Sequence, residues 1–159
     1  MTKKNHTLIG LCTAALLAAA CAQPQRNTQK DEIDEITHLV ENWSYHNSPM
    51  LAAENATEYY TESLVSDYER ADSIALAQDD EMGVLDFDPW TESQDPSPKA
   101  KGFVNEVYDI TDSTAIVELT IINWDYQVNK KLYLRYTSEG WRIDDMTIDA
   151  EGNTLRSLF

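Results

Sequence analysis

The sequence predicts an α+β domain in which N-terminal helices pack on a curved antiparallel sheet of about four strands. Three observations carry this. Apolar residues recur at helical spacing between residues 31 and 78, and from Gly102 onward the period drops to two. The strand-like runs also follow one another through connections too short for parallel crossovers. Helices first and a meander afterwards is an α+β order, with the helices on one sheet face.

The first predicted helix covers residues 31–45. Ile33, Ile36, Val40 and Trp43 share a face, and Asp31, Glu32, Asp34 and Glu35 load the first turns, where acids suit the helix dipole. Ser48-Pro49 reads as an N-cap followed by proline at the first helical position, so a second helix is expected to run towards Tyr60. Thr61-Glu62 repeats the signal, and Leu64, Tyr68, Ala71 and Ala75 line a third helix that ends near Gln78. Residues 79–101 then hold three of the five prolines and seven acids, with Val84, Leu85, Phe87 and Trp90 among them. A structureless stretch of that length is either functional or pinned by its own buried side chains. Strands follow at 103–110 and from Ala115 to Trp124, the second with Ala115, Val117, Leu119 and Ile121 on one face. Leu132, Leu134 and Tyr136 line the next, and Ser138-Glu139-Gly140 turns the chain into Trp141 and Ile143. At Asp144-Asp145 the alternation changes phase, which predicts a bulge.

The first thirty residues read differently. Lys3 and Lys4 precede an uncharged Leu/Ala run that ends Leu17-Ala18-Ala19-Ala20-Cys21 and is too short to span a bilayer. Residues 1–20 are therefore expected to be a signal peptide. Cys21 resembles the acylated cysteine of a bacterial lipobox, although Ala18-x-Ala20 also fits ordinary signal peptidase cleavage. Residues 21–30 read as a tether and 31–159 as one domain. With no acid directly after Cys21, the expected location is the bacterial envelope, lipid-anchored and facing the periplasm, at the outer rather than the inner membrane.

Removing residues 1–20 leaves ten cationic and 28 acidic residues, a formal charge of −18. That charge opposes nucleic-acid phosphates and anionic lipid, so membrane contact is expected through the N-terminal lipid only. It permits a basic envelope-protein partner, or serves only to keep the domain soluble. Both cysteines, Cys12 and Cys21, lie in the leader and lipobox. A mature domain without a side-chain thiol excludes thiol catalysis, cysteine zinc sites and iron–sulfur clusters, and no cofactor is implied.

Asp86-Phe87-Asp88-Pro89-Trp90 with Gln94-Asp95, Gly140-Trp141-Arg142-Ile143-Asp144-Asp145 and Leu155-Arg156-Ser157-Leu158 resemble the lipoproteins of domain of unknown function 3828. The resemblance spans residues 33–158 and departs at the acidic run Asp79-Asp80-Glu81. It implies a cone similar to the nuclear transport factor 2-like folds and carries no settled activity.

Asp86, Asp88, Glu92, Gln94 and Asp95 form the densest cluster; Asp86, Asp88, Trp90, Gln94 and Asp95 are the candidate binding residues of the loop, with Tyr136 and Asp145 as polar groups for a cone cavity. Several carboxylates in one loop suit a hard cation, yet the spacing fails the EF-hand pattern: counted from Asp86, positions 5 and 6 are Trp90 and Thr91. The alternative is structural, with these side chains accepting backbone N–H groups. His38 points away from the apolar stripe and His46 lies at the helix end, so histidine-based catalysis has no base in place. A non-catalytic binding or accessory module is the expectation. Its rivals are an acidic inhibitor of a periplasmic hydrolase and a small-molecule enzyme using an Asp/Tyr pair.

Overall fold

A computed structural model describes residues 29–41, 44, 48–78 and 83–159. Cys21, Trp43, His46 and the Asp79-Asp80-Glu81 run lie outside the described residues. The elements are α1 (Gln29–Glu41), α2 (Glu62–Ala77), β1 (Lys101–Tyr108), β2 (Thr114–Asn123), β3 (Tyr126–Thr137) and β4 (Gly140–Met146). Short 3-10 turns occur at Ala56–Glu58 and Leu155–Leu158. The strands form one antiparallel sheet in the order β1-β2-β3-β4. Helices on one face of a four-stranded meander is the predicted α+β class.

Packing follows the two sequence periods. Ala115, Val117, Leu119 and Ile121 of β2 and Leu132 and Leu134 of β3 are buried, as are Trp141 and Ile143 of β4. Ile36 and Val40 of α1 and Leu64 and Val65 of α2 close over them. Burying each of the Val, Leu and Ile side chains contributes roughly 1.5–3 kcal/mol, so this interface is the main source of stability. The opposite face carries a polar ladder, Asn105 to Thr120 (2.9 Å) and Thr120 to Asn129 (3.0 Å). One-sided burial is what an alternating antiparallel sheet permits.

The predicted bulge is present. Tyr133 pairs with Asp145 and Leu134 with Ile143, leaving Asp144 as the extra residue on β4.

The expected second helix is absent. Residues 48–60 instead form turns around the Ala56–Glu58 3-10 turn. The physical reason is visible in one bond: the Tyr60 hydroxyl donates to the Pro49 carbonyl at 2.8 Å. A straight α-helix would separate those residues by about 16 Å, far beyond the reach of a tyrosine side chain. The Ser48-Pro49 signal is local, and the burial of Leu51, Ala56 and Tyr60 overrides it. The end of this segment serves the sheet instead. Thr61 N–H donates to Ile143 O (2.9 Å) and Ile143 N–H to Tyr59 O (2.8 Å), which covers the open edge of β4. Thr61 then caps α2, its hydroxyl accepting Leu64 N–H at 3.3 Å.

Candidate functional site

The acidic loop, 83–100, crosses from α2 to β1. Gly83 starts it at φ +72°, and a Cβ there would sit 2.2 Å from the Asp72 carboxylate, which accepts Val84 N–H at 3.0 Å. A side chain at that φ would be strained, which favours glycine there. The loop is then fixed by its own side chains. Asp88 accepts Trp90 N–H (2.9 Å) on one oxygen and the Thr91 hydroxyl (3.0 Å) on the other. Its backbone pairs with Ser93. Trp90 is almost fully buried, and its indole N–H donates to the Tyr60 hydroxyl (3.0 Å) and to Pro49 O (3.3 Å). Burial therefore holds the Tyr60 hydroxyl far above the ordinary phenol range, despite the bond from Trp90.

Between this loop and the 48–52 turn lies a groove of about 590 Å3. Met50, Leu51, Tyr68, Leu85 and Phe87 supply apolar walls, while Asp86, Asp88 and Gln94 supply polar groups. Asp86 is exposed and accepts Gln94 Nε2 at 3.3 Å. Met50, two-thirds exposed at 66%, stands at the mouth. The groove thus suits an apolar segment with a cationic group at its acidic rim. Among the described residues no group of three or more His, Cys, Asp or Glu is arranged to hold a metal ion.

The structure brings together Asp86, Asp88, Trp90 and Gln94 around this groove and separates the other predicted site residues from it. Asp95 turns towards the β2–β3 hairpin, its carbonyl accepting Trp124 Nε1–H at 3.0 Å. Tyr136 and Asp145 do not share a cavity. Tyr136 pairs with Trp141 and Asp145 with Tyr133, an odd separation along β3 that places them on opposite sheet faces. Tyr136 stacks edge-on against Trp141 at 5.2 Å and is half exposed. Asp145 accepts Met146 N–H (2.9 Å) and Arg156 N–H (3.2 Å), a structural cap where β4 meets the C-terminal turn.

The residue promoted by the bulge is its neighbour Asp144. It accepts Thr61 Oγ1 (2.8 Å), Arg135 Nη2 (3.0 Å) and Arg156 Nη2 (2.9 Å). Burial pushes its carboxyl up, but the Thr61 hydroxyl and the two guanidiniums outweigh it and hold the group below the usual carboxylate range. Arg156 also binds Asp67 and Ser63 of α2, so this cluster locks helix, sheet and C-terminal turn together.

Sequence reasoning missed Lys130, which occupies an inward position of β3 between Val128 and Leu132 and has no exposed side-chain surface. Its ammonium donates to Glu92 (2.7 Å) and to Thr147 O (2.8 Å). Burial lowers its affinity for the proton, and Glu92 and the nearby Asp88 and Asp149 oppose that shift. The signal was available: a lysine in phase with buried Val128, Leu132 and Leu134. Glu92, held at φ +54°, is the loop's half of the pair.

No family profile, curated protein or solved structure matches the chain.

Proposed function

We propose that the chain is an exported envelope lipoprotein, acylated at Cys21 and of the domain of unknown function 3828 type. In this reading the folded domain is a non-catalytic binding module that takes a protein partner in the groove beneath the acidic loop. The observation that carries it is the pairing of apolar walls, headed by exposed Met50, with carboxylates whose positions the loop itself has fixed. Both Asp88 oxygens are occupied by Trp90 and Thr91, and the buried Tyr60 hydroxyl is held by Pro49 and Trp90. Such an arrangement supports recognition over proton transfer, since neither group is positioned to meet a reacting atom. The anchor reading rests on Lys3, Lys4, the apolar run and Ala20-Cys21.

The test is crosslinking and affinity capture from envelope fractions, with wild type compared against Met50→Asp. A partner retained by wild type and lost in the variant is expected, because the exposed methionine tolerates a charge without unfolding the domain. Capture identical in both proteins overturns the groove reading. Salt dependence separates the inhibitor alternative, which predicts affinity falling steeply with ionic strength. A Cys21→Ser variant is expected in the soluble fraction, and its retention in the membrane overturns acylation.

A further inference from the structure

We infer that the tip of the β2–β3 hairpin is a second binding site, with Trp124 as a stacking platform for one ring of a neutral sugar. Three independent features of the fold meet there.

Trp124 occupies the two-residue turn between β2 and β3 at φ +53°. Such turns favour Asn or Gly at positive φ, and a bulky aromatic residue there is strained. The ring is nonetheless 58% exposed, so core packing does not account for its place. Strained, exposed residues of this kind concentrate at ligand sites.

The platform is also rigid. Trp124 Nε1 is committed to the Asp95 carbonyl, which fixes the ring's orientation. Directly before it, fully buried Asn123 accepts Ser97 N–H at 2.7 Å and donates to the Tyr126 hydroxyl at 2.6 Å. Loop and hairpin are therefore stapled from below, and a ligand meeting the ring pays little ordering entropy.

Beside the ring lies a concavity of about 450 Å3, bordered by Pro98 and Ile122 and by the polar side chains of Ser97, Lys99 and Asp125. A concavity of that volume has room for one sugar ring beside the indole. The electron-rich ring face attracts the weakly positive C–H face of a pyranose, and the Asp125 and Lys99 groups suit its hydroxyls. A chain of net charge −16 repels anionic glycans, which favours a neutral glycan over an acidic one.

The experiment follows the Trp124 indole N–H resonance, assigned with Trp124→Gly, while cellotriose, maltotriose or chitotriose is added to the wild-type protein up to about 10 mM, a range suited to millimolar affinity. Saturable movement of that resonance with at least one sugar is expected. Trp124→Gly is expected to lose the binding without a lower thermal midpoint, because glycine adopts this φ freely. No movement with any of the three sugars overturns the proposal, as does movement with a proline-rich peptide alone. A variant that still binds overturns the stacking assignment, and one whose midpoint falls sharply shows that the tryptophan has a structural role instead.

Discussion

Replacing Lys130 with Met tests the most unusual feature of the core. At 2.7 Å and an effective dielectric of about 20, the attraction between Lys130 and Glu92 is about 6 kcal/mol. Taking the lysine out of water costs several kcal/mol, so the intact pair nets little. Removing the cation alone is different. It strands the Glu92 carboxylate, whose side chain is only 27% exposed, and takes the Nζ donor from Thr147 O. Breaking a fully buried pair costs about 3–5 kcal/mol. Discounting for the partial exposure of Glu92 and for the easier burial of methionine gives about 2–3 kcal/mol. For a domain of this size that lowers the thermal midpoint by about 10 °C. Urea unfolding followed by tryptophan fluorescence measures it, and Lys130→Met/Glu92→Gln is expected to recover about 1–2 kcal/mol as the coupling between the two sites. A single variant as stable as wild type, or a double variant with no recovery, would refute the reasoning.

Two further perturbations probe the remaining clusters. Arg156→Ala removes the guanidinium that joins Asp144, Asp67 and Ser63, and is expected to cost about 2–3 kcal/mol in urea unfolding. Because Asp144 titrates below its ordinary value, its contribution is complete above about pH 4 and is lost as pH falls through the lower folded value. Asp144→Asn should therefore flatten the acid limb of the stability profile, and an unchanged limb would contradict the assignment. Trp90→Ala should cost about 3–5 kcal/mol and open residues 83–100 to limited proteolysis, whereas Trp90→Phe should cost about 1–2 kcal/mol. A loop in Trp90→Ala that stays protease-resistant would show that the indole is not its anchor.

The elements legible in the sequence were those whose signal is local and repeated. Ile36 and Val40, and the run Ala115, Val117, Leu119 and Ile121, fall on the buried faces that their periods dictate. The phase change at Asp144-Asp145 likewise became a bulge. The Ser48-Pro49 helix failed because a capping signal says nothing of what the segment must reach, and here Tyr60 folds back to Pro49. Of the candidate site, Asp86, Asp88, Trp90 and Gln94 do surround one groove, while Asp145 and Tyr136 fall on opposite faces of the sheet.

Composition and spacing alone determined the α+β order, the one-sided meander and the irregular acidic loop, because hydrophobic period and proline content act over a few residues. Only the tertiary structure decided that Trp90 is an anchor, that Asp144 rather than Asp145 is the hub, and that Lys130 lies buried under Glu92. Those outcomes depend on partners 30 to 83 residues away in the chain for Trp90, Asp144 and Lys130. The strand phase marks Lys130 as inward-facing, but which partner meets it, or Trp90 or Asp144, is set by which elements pack together.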